Sequence, residues 1–72
     1  RILHIHRNVP GVLSRINELF SREGVNINGQ FLRTDAKVGY VVMDIASTPE
    51  ITSRLRAALN AIEGTLRTRV LY

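Results

Sequence analysis

His4-Ile5-His6-Arg7-Asn8-Val9-Pro10-Gly11-Val12-Leu13 carries a strand directly into a helix, and the rest of the chain can be laid out from that junction. Alternation over residues 2–6 predicts a strand with Leu3 and Ile5 on an aliphatic inner face and Ile2, His4 and His6 on the other. Pro10-Gly11 ends it and opens a helix, because proline's fixed φ and missing N–H cost nothing in a first turn; Asn8 is placed to cap. Val12, Leu13, Ile16, Leu19 and Phe20 then recur at helical spacing up to Glu23, and Gly24 stops the helix.

Further along, residues 25–34 read as a strand with Val25, Ile27 and Phe31 on one face and the amides Asn26, Asn28 and Gln30 on the other. Thr34-Asp35-Ala36-Lys37 is a polar break before the β-branched run from Val38 to Ala46, so these two strands form a hairpin with Val41, Met43 and Ile45 inward. Ser47-Thr48-Pro49-Glu50 supplies a helix start, with a hydroxyl cap, an early proline and a glutamate three residues after Ser47. Ile51, Leu55, Ala58, Leu59 and Ile62 make the buried stripe of that helix, and Gly64 ends it. Residues 65–72 form a last strand, with Leu66 and Val70 alternating against Arg67 and Arg69. The order βαββαβ predicts an α+β, ferredoxin-like fold, an antiparallel four-stranded sheet with two helices on one face. Right-handed crossovers favour the spatial order 4-1-3-2, which leaves the second strand at an edge where a copy of itself can cover it.

Length and charge narrow the function. A chain of 72 residues makes one domain; at that size only about 60 % of the unfolded surface is buried, and without cysteine there is no disulfide to compensate, so self-association is expected. The opening at Arg1, with no methionine or apolar leader, reads as excised from a longer protein, and the absence of cysteine suits a cytoplasmic protein or a disulfide-free secreted one. Ten basic residues against six acidic ones give a net charge of +4. Arg15, Arg22, Arg54 and Arg56 fall on polar helix faces and only Arg67 and Arg69 share a strand face, so neither a nucleic-acid nor a membrane partner is expected.

Catalytic chemistry finds no purchase. Ser14, Ser21, Ser47 and Ser53 lie in helices or caps, and Glu18, Glu23, Asp35, Asp44, Glu50 and Glu63 are scattered over separate elements, so no nucleophile and no acid–base pair emerges. His4 and His6 share a strand face but have no third partner for a metal. The junction itself is the better candidate: free N–H groups at a helix start suit a carboxylate or phosphate, and Gly11 permits close approach. Tyr40 on the third strand suggests a rival, an RNA-recognition sheet, although the first strand adds no aromatic for a second stacked base.

His4-Ile5-His6-Arg7-Asn8-Val9-Pro10-Gly11-Val12-Leu13, Gly24-Val25-Asn26-Ile27, Gly39-Tyr40-Val41-Val42-Met43-Asp44-Ile45 and the ending Arg69-Val70-Leu71-Tyr72 are similar to an ACT domain. They look closely like the regulatory domain at the C-terminus of the bacterial D-3-phosphoglycerate dehydrogenase family. That resemblance implies a regulatory domain without catalytic residues or a cofactor of its own, NAD belonging to catalytic domains upstream of Arg1. It also implies that L-serine binds between two copies joined edge to edge, held by His6 and Asn8 of one and Asn26 of the other, with Pro10 and Gly11 as the supporting loop. A homodimer and feedback inhibition of serine synthesis follow from it, an ACT domain sensing another amino acid being the alternative. Asn28-Gly29 departs from the family pattern, where small apolar residues are usual.

Overall fold

The computed structural model describes residues 1–71, so the tyrosine ending, Tyr72, lies outside the described residues. Its elements are β1 (Ile2–Arg7), α1 (Val12–Arg22), β2 (Ile27–Thr34), β3 (Val38–Ile45), α2 (Pro49–Asn60) and β4 (Thr65–Val70). The sheet runs β2-β3-β1-β4 with every neighbouring pair antiparallel, the expected order and topology. Ile2, Val41 and Met43 from the sheet meet Val12, Ile16, Leu19 and Phe20 of α1 and Leu55 and Leu59 of α2 in one core. Both helical stripes are therefore where the spacing put them.

Three faces differ from the sequence reading. In β1 the buried residues are Ile2, His4 and His6, while Leu3 and Ile5 are half-buried on the other side. The core took the face that carries both histidines because Ile2 pairs with Met43 and His4 with Val41, the inward residues of β3. In β2, Ile27 lies opposite Ile45 but Gly29 lies opposite Asp44, so Asn28 is an extra residue. Such a bulge reverses the faces beyond it. Gln30 and Leu32 consequently join Met43 and Val41 on the helix side, where Gln30 Nε2 donates to Asn17 Oδ1 at 3.1 Å, and Phe31 is 80 % exposed on the open face. A second bulge in β4 sets Thr65 opposite His6 and Arg67 opposite Ile5, which turns Leu66 out to 50 % exposure.

The open face that results is not the one foreseen. Phe31, Val42, Leu3 and Arg69 form one row across the sheet, and Arg33, Tyr40, Ile5 and Arg67 the next. Arg33 thus shares a face with Arg67 and Arg69. At the helix ends, Thr48 rather than Ser47 caps α2, its hydroxyl accepting from Ile51 N at 3.3 Å behind Pro49. Ala61 is the C-cap of α2, and Gly64, at φ 95°, serves the turn into β4.

The bulge in β2 separates two phenylalanines energetically. Phe31→Ser is expected to leave the urea unfolding free energy within about 0.5 kcal/mol of wild type, while Phe20→Ala, with 1 % of its surface exposed, costs about 3–5 kcal/mol. A loss at Phe31 as large as that at Phe20 would place Phe31 in the core.

Candidate functional site

β1 lies between β3 and β4, so its inward histidines sit beneath the β1–α1 loop and inside the protein. The Thr65 hydroxyl donates to Leu59 O at 2.9 Å, and having one proton it can only accept from His4 Nε2, 2.8 Å away. His4 therefore carries its proton on Nε2, and Nδ1 is a bare acceptor. In His6 the roles are reversed: Nδ1 is 3.2 Å from the Arg7 carbonyl, which only accepts, so Nδ1 holds the proton and Nε2 is bare. His4 Nδ1, His6 Nε2 and Thr68 Oγ1 are buried with no hydrogen-bond partner among the described residues.

Burial lowers the His4 pKa to about 4, helped by His6, whose ring centre is 5.4 Å away, and burial likewise lowers His6. Both rings are neutral at pH 7. Among the described residues no group of three or more His, Cys, Asp or Glu side chains is arranged to hold a metal ion.

Above the histidines the loop is laced to two neighbours. Arg7 N donates to Gly64 O at 2.8 Å, Asn8 N to Lys37 O at 2.9 Å and Val9 N to Arg7 O at 2.8 Å. Asn8 does not cap α1. Its Nδ2 donates instead to Asp35 O in the β2–β3 turn, 2.7 Å away. That turn is itself rigid, because Asp35 Oδ1 accepts from Lys37 N and Val38 N at 2.7 and 2.8 Å. The same two N–H groups, Val38 more than Lys37, hold the Asp35 carboxyl below the usual carboxylate range. The N-cap of α1 is Gly11, at φ 91°, and no side chain among the described residues caps the helix. A left-handed residue is needed at this bend, and glycine adopts it without a Cβ clash. The first turn of α1 is thereby left without a side-chain acceptor, at the positive end of the helix dipole. Beside it lies an open cleft of about 300 Å³ lined by Arg7, Val9, Pro10, Arg15, Glu63 and Gly64.

The structure brings His6, Asn8, Pro10 and Gly11 to one end of the sheet and leaves Asn26 at the other. Ile27, next to Asn26, pairs with Ile45, whereas His6 pairs with Gly39. The six residue steps along β3 from Gly39 to Ile45 span about 20 Å. Asp35, Gly39 and Thr65, which tie the site together, were not singled out from the sequence. An aspartate in a polar break is a readable turn signal, but the contacts of Gly39 and Thr65 depend on strand register and on the β4 bulge.

The topology and the loop define a class. Residues 2–67 match the family described as the AHAS small subunit-like ACT domain, and the chain belongs to the ACT domains. It is a regulatory domain 47 % identical over all 72 residues to the C-terminal region of D-3-phosphoglycerate dehydrogenase from Escherichia coli strain K12, of which it spans 18 %. The enzyme of Haemophilus influenzae is also 47 % identical and is spanned to 17 %, and that of Dictyostelium discoideum is 38 % identical. The chain thus covers less than a fifth of the length of these relatives. Among solved structures, the ACT domain from GTP pyrophosphokinase of Chlorobium tepidum superposes with a TM-score of 0.81 at 17 % identity, covering 97 % of this chain and 92 % of that one. The acetolactate synthase small subunit of Thermotoga maritima gives 0.76 at 18 % identity, covering 94 % of this chain and 44 % of that one. At such identities the likeness is one of fold. Among the described residues no helix is long and apolar enough to cross a membrane.

The buried histidines make stability depend on pH with a definite sign. An unfolded histidine titrates near 6.5 and folded His4 near 4, so between those values the unfolded chain binds a proton that the folded chain refuses. The stabilisation is complete above pH 6.5 and is lost as pH falls towards 4, by about 3 kcal/mol for His4, with His6 acting in the same direction. Urea midpoints at pH 7.5, 5.5 and 4.2 should fall in that order. Equal midpoints would mean that His4 is charged in the folded protein.

Proposed function

We propose that the chain senses L-serine as one half of a site shared between two copies, and that it transmits feedback inhibition to a phosphoglycerate dehydrogenase of which it is the regulatory part. The observation that carries this reading is the bond from Asn8 to the Asp35 carbonyl, which fastens the helix-start half-site to the end of the edge strand. A two-fold antiparallel pairing of β2 with its copy, in full overlap, sets Ile27 of one chain opposite Thr34 of the other. Asn26 then arrives beside Asp35 and Asn8 across the interface, although it stands about 20 Å from His6 within its own chain. The same pairing satisfies the free edge of β2 and covers Leu32, which is 48 % exposed.

The chemistry of serine suits this set of groups. Its carboxylate meets the open first turn of α1, and its ammonium and hydroxyl meet amides that both donate and accept, with His6 behind them. Discrimination against alanine follows from a bonded hydroxyl whose loss leaves buried partners unpaired. A ligand held by both copies favours the closed interface, and that differential affinity is what biases the enzyme. Catalysis and NAD binding belong to other domains of the enzyme, in the cytoplasm. Pro10 and Gly11 serve as the supporting loop.

Calorimetry on the folded dimer should show L-serine binding that Asn8→Ala and Asn26→Ala each weaken at least about tenfold. Mixing the two variants should restore one intact site per heterodimer. No heat with L-serine, but heat with another amino acid, would leave an ACT sensor of different specificity.

A second reading rests on the bulge that sets Phe31 beside Tyr40, with Arg33, Arg67 and Arg69 on the same open face. Two aromatic rings among arginines are the elements of a single-stranded RNA platform. That reading requires salt-dependent binding of labelled oligouridylate, weakened by Tyr40→Ala and indifferent to Asn8→Ala. Absence of binding at low salt removes it.

A further inference from the structure

A buried glycine inside a strand gives up both order and packing, and it commonly marks a close approach by another group. Gly39 is such a residue in β3. The glycines with positive φ are Gly11, Gly24 and Gly64, so the backbone of Gly39 suits any side chain. Space is what forbids one. A Cβ at position 39 would lie 2.7 Å from Cε1 and 3.0 Å from Nε2 of His6, and 3.1 Å from Cγ2 of Thr34. These are its cross-strand neighbours on β1 and β2. The His6 ring, only 4 % exposed, thus lies across the bare backbone of Gly39.

We propose that Gly39 is a positioning residue for the amino-acid site: its backbone seats the His6 ring, and the seated ring holds the Arg7 carbonyl from which the Asn8 loop hangs. This rests on the reading of His6 and Asn8 as site residues. The Arg7 carbonyl accepts twice, from His6 Nδ1 at 3.2 Å and from Val9 N at 2.8 Å, closing a three-residue turn around Asn8. Asn8 then reaches away from that turn, through N to Lys37 O and through Nδ2 to Asp35 O. One chain of contacts therefore runs from β3 through the ring and the carbonyl to the amide at the edge of the site. The His6 bond is already at the long end of the hydrogen-bond range, so a ring displaced by a fraction of an ångström loses it.

The test pairs Gly39→Ala with His6→Asn, because asparagine carries its amide nitrogen where histidine has Nδ1 and has no atoms in the place of Cε1 and Nε2. In the 72-residue chain, nitrogen-15 NMR of His6 should show the proton on Nδ1. Gly39→Ala should shift the His6 ring nitrogen signals, lower Tm and weaken L-serine binding about tenfold. Ala57→Gly on the exposed side of α2 should lower Tm with the affinity unchanged. In the His6→Asn background, Gly39→Ala should cause no further fall in Tm. An equal fall in both backgrounds, unmoved ring signals, or undiminished affinity in Gly39→Ala would overturn the proposal. If the wild-type chain binds no L-serine, the site reading fails separately, while the ring signals and the Tm cycle still decide whether Gly39 seats the ring.

Discussion

Everything in this domain hangs on the placement of β1 at the centre of the sheet with Ile2, His4 and His6 turned onto the helices. A strand paired on both sides has no freedom to slip, because a shift of one residue would carry its whole buried set to the other face. Burying two imidazoles there requires them to be neutral and to find partners for their protons. His4 does so through Thr65 and Leu59, tying the end of α2 to β4, and His6 does so through the carbonyl of its own neighbour. The polar groups of the inner face thus organise the loop above it.

The loop in turn explains why the start of α1 is open. An asparagine three residues ahead of glycine would ordinarily be read as a cap, since a cap satisfies one of the free N–H groups of the first turn. Here the amide is turned to the hairpin, its Nδ2 donating to Asp35 O at 2.7 Å, and Gly11 takes the N-cap position. The consequence is a helix start without a side-chain cap, fastened through Asp35 to the end of the edge strand β2. Ion pairs add little to this arrangement. Arg1 with Asp44 is exposed and Arg54 reaches Glu23 from solvent, and surface pairs of that kind contribute little.

The two bulges show where local pattern loses to pairing. Alternation placed Phe31 with Ile27, and Leu66 with Val70, on buried faces. In each strand one extra residue, Asn28 or Leu66, is looped out so that the rest can keep register with a neighbour whose inward residues are already fixed by the core. Single-sequence alternation cannot count such a residue, since its cost is local and its benefit is spread along the ladder. The price of the β2 bulge is an exposed phenylalanine, and its result is an open face with two aromatic rings and three arginines.

Helical spacing, the proline and glycine stops and the β-branched runs determined by themselves the six elements, their order and the sheet topology. These signals are local, and the rules that connect such elements are few. The junction from His6 to Gly11 was likewise legible as the turn that carries a strand into a helix. Which face of β1 is buried, which amide caps a helix and which glycine makes room for a ring were decided only by tertiary structure. Each of those depends on the register between strands distant in sequence, where the competing choices differ by one residue and the packed core selects between them.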